Sequence, residues 1–110
     1  MLSKPYRLTK RGSFTFLYNK GERKSTSLAG LVFLCGKVKK IGFSVPNKVG
    51  KAVVRNRLKR QMRAIVREYL PRIRPAQAVF TLKPESDKLS YGELKKTVEN
   101  LLRRAKLIDA

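Results

Sequence analysis

Apolar residues recur along this chain in two rhythms, and the rhythms divide it into elements. Phe14, Leu17 and Tyr18 stand at i, i+3 and i+4, which predicts a short helix over Gly12 to Lys20 with Gly21 as its C-terminal cap. The apolar run from Leu28 to Cys35 predicts a buried strand. A basic turn, Lys37 to Lys40, separates it from a second strand, Ile41 to Val45. There Ile41, Phe43 and Val45 point to one side and Gly42 and Ser44 to the other. That second side is small and polar, so another molecule can approach the sheet closely. Pro46 ends the strand.

A loop, Asn47 to Lys51, leads into a central helix predicted from Ala52 to about Leu70, where Pro71 stops it. A third strand runs through Ala78 to Leu82, closed by Pro84. Ser90 and Glu93 have the spacing of a capping box, with Leu89 and Leu94 placed for a hydrophobic staple. Leu94, Val98, Leu101, Leu102 and Ala105 then continue at helical spacing. The order helix, strand, strand, helix, strand, helix reads as one α+β domain spanning residues 1–110, with helices packed on a mixed central sheet. The strands on either side of the central helix are expected to pair in parallel through it. The general rule makes such a βαβ crossover right-handed.

The central helix carries a second pattern. Val54, Leu58, Met62, Ile65, Val66 and Tyr69 fall on one arc. Arg55, Asn56, Lys59, Arg60, Arg63 and Arg67 fall on the opposing arc, and Arg57 flanks the apolar side from the other direction. An ordinary solvated face mixes signs, because opposite charges at i,i+4 stabilise a helix and like charges destabilise it. Here Arg55, Lys59, Arg63 and Arg67 stack at successive i+4 steps with no acid among them. Arginine offers a planar fork of donors that matches phosphate oxygens, and Asn56 adds an amide within the same arc. Lys51 stands at the helix start, where the dipole favours anions. The arc therefore reads as a phosphate-binding ridge.

Composition strengthens that reading. The chain has 27 Lys and Arg against 7 Asp and Glu, a formal net charge of +20. Self-repulsion on that scale costs stability, and a polyanion would relieve it. Histidine is absent, which removes the usual general base and the commonest metal ligand. The one cysteine, Cys35, makes neither an internal disulfide nor a zinc site alone, and its apolar run predicts a buried strand thiol. These features fit a reducing, cytoplasmic setting. No signal peptide is visible, and the longest apolar stretch is far too short to span a bilayer, so no membrane partner is expected.

The run Arg55-Asn56-Arg57, followed by Leu58-Lys59-Arg60 and Arg63, resembles the protein subunit of bacterial ribonuclease P. The preceding IGFSVPNKVGKAVVRNR, the set Leu8, Phe14, Tyr18 and Gly21, and FTLKP at Phe80 to Pro84 resemble the same family. The likeness covers nearly the whole chain. It implies a protein that joins a large catalytic RNA, the holoenzyme removing the 5′ leader of precursor tRNA. Mg2+ would be held by the partner RNA, with no catalytic residue in the protein and no obligate protein partner. It also implies an uncommon left-handed crossover in place of the right-handed one. Position by position, Lys48, Arg55, Asn56, Arg57, Lys59, Arg60 and Arg63 match the family's RNA-contacting positions, and Lys51 and Arg67, from the same basic stretch, complete the expected RNA contacts. Phe14, Tyr18, Phe33 and Ser44 are expected to line a cleft for the single-stranded leader, the aromatics by stacking on bases.

Two other readings compete. A ribosomal protein is also small, basic and RNA-binding. A protein-only nuclease would need clustered carboxylates for metal ions, and only Glu85 and Asp87 are close in sequence.

Overall fold

A computed structural model describes residues 17, 19–37 and 39–108 of the chain. Four strands form one sheet: β1 (Glu22–Ser25), β2 (Ala29–Cys35), β3 (Lys40–Ser44) and β4 (Ala76–Leu82). The spatial order is β1-β2-β4-β3. β1 pairs with β2 and β2 with β4 antiparallel, whereas β3 and β4 are parallel. The long helix α1 (Ala52–Tyr69) connects that parallel pair, and α2 (Tyr91–Arg104) follows β4. The mixed α+β domain expected from the hydrophobic rhythm is therefore present.

The strand β1 was absent from that expectation. Its sequence ERKS is almost wholly exposed and carries no apolar alternation, because it forms the sheet's edge. Charged side chains on an edge strand discourage pairing with another chain. Strand β4 begins two residues earlier than expected, at Ala76, paired with Cys35, which ends β2 and is exposed, not buried as its apolar run predicts. Strand β2 starts at Ala29, because Leu28 belongs to the turn organised by the Thr26 hydroxyl, which accepts from the Leu28 and Ala29 amides.

Alternation along the strands gives the sheet two unlike faces. One carries Ala29, Leu31, Phe33, Ile41, Ala78, Phe80 and Leu82, which join the apolar stripes of α1 and α2 in the main core. Phe43 packs there too, its ring stacked on Phe80 with centroids 6.0 Å apart and planes 17° from parallel. The other face carries Val32 and Val79, which pack with Leu17 in a smaller cluster. Of the predicted first helix, Leu17, Asn19 and Lys20 are described and are helical. Phe14 and Tyr18 lie outside the described residues.

Gly21 ends that helix for a reason different from the one expected. No described glycine has a left-handed backbone. Instead its N–H donates to the Leu17 carbonyl at 2.7 Å, and a Cβ would fall 2.7 Å from that oxygen and 2.9 Å from the Phe33 carbonyl. Only glycine lets the helix end approach β2 this closely. The second helix starts as predicted. Ser90 Oγ accepts from the Glu93 amide at 3.2 Å, and Glu93 Oε1 accepts from the Ser90 amide at 3.1 Å. The staple holds as well, with Leu94 fully buried and Leu89 packed against the core.

Candidate nucleic-acid interface

Helix α1 lies on the core through Leu58, Met62, Ile65, Val66 and Tyr69. Its exposed residues follow from that registration. Asn56, Arg60 and Arg67 are exposed, while Arg55, Lys59 and Arg63 are half-buried along one flank. At 1.5 Å rise per residue, the line Arg55, Lys59, Arg63, Arg67 sets a cation about every 6 Å along the helix.

The opposite flank faces the rest of the protein and is pinned to it. Arg57 donates to the Asp87 carbonyl at 3.2 Å. Glu68 pairs with Lys95 of α2 at 2.6 Å. The Tyr69 hydroxyl donates to Glu99 of α2 at 2.7 Å, and Glu99 also pairs with Arg103 at 2.6 Å. Burial, then the bond to Glu99, pushes the Tyr69 phenol up. The same bond holds the Glu99 carboxyl below its ordinary range. The Arg72 guanidinium lies over the Tyr69 ring, 5.6 Å from its centroid. Glu68 and Glu99 are therefore engaged on this flank. Among the described residues, no carboxylate pairs with Arg55, Lys59, Arg60, Arg63 or Arg67.

The loop before α1 extends the ridge. Asn47–Val49 form a single 3-10 turn anchored by the buried Val49, which leaves Lys48 exposed. Lys51 is the N-cap residue of α1, exposed and making no side-chain cap bond, and the first turn holds no acid. Arg55 Nε donates to the Gly50 carbonyl at 3.1 Å. Part of its capacity thus fixes the loop against the helix, and its remaining donors stay available. Arg57 is set apart from the ridge by its bond to the Asp87 carbonyl.

Two of the four expected cleft residues are described, and the sheet separates them. Ser44 lies on the face shared with Leu17, beside Thr81 in the β3–β4 register. Phe33 does not. It is 3% exposed and belongs to the main core on the opposite face. Strand alternation puts Val32 on the Leu17 side instead, one residue earlier. Phe33 therefore leaves the cleft set.

A row the sequence did not disclose crosses that face. Ser25 pairs with Gly30, Gly30 with Thr81, and Thr81 with Ser44, so four small residues line up across all four strands. No single stretch of sequence carries it. The polar alternation in β3 was its only local trace. Among the described residues, no group of three or more His, Cys, Asp or Glu could hold a metal ion. Glu85 and Asp87 lie in the turn before α2, and the Asp87 contact to Arg57 is through its backbone. No described helix is long and apolar enough to cross a membrane.

Known proteins share this architecture and sequence. The family model described as Ribonuclease P matches residues 2–106. The ribonuclease P protein component of Cyanothece sp. (strain PCC 7425 / ATCC 29141) is 36% identical over 128 aligned residues, covering 98% of each chain. The solved RNase P protein from Thermotoga maritima is similar with a TM-score of 0.81 and 26% identity, over 89% of this chain and 96% of that one. The Staphylococcus aureus RNase P protein matches in fold with a TM-score of 0.90, covering 96% of this chain and 100% of that one at 23% identity.

Proposed function

The chain belongs to the ribonuclease P protein family, and from that premise we propose that it binds the catalytic RNA through the α1 ridge and the 5′ leader of precursor tRNA across the open sheet face. A ribonuclease P protein component belongs to a tRNA-processing endoribonuclease complex. In our reading this chain promotes removal of the leader, giving mature tRNA 5′ ends, in the bacterial cytoplasm. The catalytic Mg2+ ions are held by the RNA, and the protein contributes binding, not a reacting group.

The observation that carries the reading is the unshared charge of α1. The protein engages Glu68 and Glu99 on the α2 flank and leaves Lys59, Arg60, Arg63 and Arg67 without a carboxylate partner among the described residues. RNA phosphates supply the missing anions, and counterion release drives their binding. The sheet face suits a single strand of any sequence. Its small residues admit the backbone, and the family resemblance adds Phe14 and Tyr18 as stacking partners, each worth roughly 1–3 kcal/mol per base.

Single-turnover cleavage of a precursor tRNA by bacterial ribonuclease P RNA at low magnesium tests this directly. Adding the protein is expected to raise both substrate affinity and cleavage rate. Identical progress curves with and without it would overturn the proposal.

A further inference from the structure

Among the described residues, two large hydrophobic side chains are exposed, Val53 at 80% and Tyr91 at 40%. Single exposed apolar residues are ordinary on a protein surface. These two share one end of the molecule. Arg57 of α1 meets the Asp87 carbonyl just before α2, and Glu68 further along α1 meets Lys95 within α2. The helices therefore run side by side in the same direction, with both N-termini at one end. Val53 stands in the first turn of α1, and Tyr91 is the first residue of α2.

Helical spacing fixes what each of them faces. Val53, Asn56 and Arg60 lie at i, i+3 and i+7 and are all exposed. A molecule docked on Asn56 and Arg60 therefore reaches Val53 as well. Tyr91, Lys95 and Glu99 lie at i, i+4 and i+8, and the last two bond to Glu68 and Tyr69 of α1. Tyr91 heads that row, so it lies on the α1 side of α2, between the levels of Arg57 and Glu68. Its ring is partly covered, which holds its orientation, and partly open. Tyrosine offers contact area of this kind at small entropic cost.

Charge at this end differs from charge along the ridge. Glu85 and Asp87 lie in the turn that Arg57 grips, and Glu93 closes the α2 cap. These acids repel phosphate, so the end suits the uncharged parts of a nucleotide, its base and ribose. We propose that the RNA docked on α1 extends over this end, with an unpaired base stacked on Tyr91 and a ribose or base edge packed on Val53. The proposal rests on the reading of α1 as the binding site of the catalytic RNA and adds a contact of different chemistry. The ridge holds phosphates by charge, whereas this end holds an unpaired nucleotide by its apolar surface. Continuity with Asn56 and Arg60 favours RNA over a protein partner.

The test measures affinity of the full-length protein for bacterial ribonuclease P RNA across a salt series. Tyr91→Ala is expected to lower affinity by about fivefold or more, and Val53→Ala by about threefold. Neither removes a charge, so the slope of log K against log salt should keep its wild-type value, unlike that of Arg63→Ala. Tyr91→Phe keeps the ring and should bind as the wild type does. Chemical probing should find an unpaired nucleotide of the RNA that wild-type and Tyr91→Phe proteins protect and Tyr91→Ala leaves open. Val53→Ala raises helix propensity at an exposed position, so a loss of affinity there does not come from unfolding. If Tyr91→Ala and Val53→Ala bind as tightly as wild type while Arg63→Ala binds more weakly, the ridge stands and the proposal is overturned, the patch then belonging to another partner. If wild-type protein itself fails to bind the RNA, the reading of α1 fails, and this extension with it.

Discussion

Helices α1 and α2 bury apolar stripes in the same core, yet their outer faces are built on opposite principles. Along α2, Lys95, Lys96, Arg103 and Arg104 are interleaved with Glu93 and Glu99. Glu99 pairs with Arg103 one turn on, and Glu93 closes the capping box, whose amide bonds hold its carboxyl below the ordinary range. Along α1, Arg55, Lys59, Arg63 and Arg67 meet no acid at i,i+4, and the N-terminus has neither a side-chain cap nor an acid in its first turn. Both helices are rich in cations. What separates the two faces here is where the protein places its acids. Helix α2 has carboxylate partners for Lys95 and Arg103, whereas the α1 ridge is arranged for an anion supplied from outside.

Exchanging the two designs should show opposite signs in stability and binding. The largest effect is expected from Arg63→Glu, which sets an acid at i,i+4 from both Lys59 and Arg67. Affinity for the catalytic RNA should fall about tenfold or more. The free protein should become more stable by roughly 0.2–0.5 kcal/mol per new pair. Arg103→Glu is the matched change on α2. It places two acids at i,i+4 and should lower stability by a few tenths of a kcal/mol while moving RNA affinity by less than about threefold. Equilibrium denaturation and filter binding on the two proteins decide between these outcomes.

The helix starts give a smaller version of the same contrast. Ser90→Ala removes a working cap and should cost about 1 kcal/mol of stability, with RNA affinity unchanged under folding conditions. Lys51→Asp supplies the cap and the negative charge that α1 lacks. It should stabilise the protein by roughly 0.5–1 kcal/mol and weaken RNA binding severalfold. A Lys51→Asp protein that bound RNA as well as the parent would show that the α1 terminus takes no part.

The legible parts of the molecule share a property: they depend on spacing within one segment. The α1 ridge, the capping box at Ser90 and Glu93, and the two-sided strand at Ile41 to Val45 all follow from local periodicity. What escaped depends on how segments meet. β1 became a strand only because β2 offered it an edge, and its charged residues carry no period of their own. The family resemblance places Phe33 in the cleft, but alternation along β2 sends it to the core and Val32 to the Leu17 side. Gly21 looked like a cap, whereas contact with the Phe33 carbonyl across the chain is what excludes a side chain. The row Ser25, Gly30, Thr81, Ser44 exists only once three strand registers are set.

The claim that α1 is cationic because phosphate docks there is tested most directly by the salt dependence of RNA affinity. Arg60→Ala and Arg63→Ala should each reduce the slope of log K against log salt by somewhat under one, while Lys96→Ala on α2 leaves it unchanged. Equal slopes for the parent and both α1 variants would contradict the account.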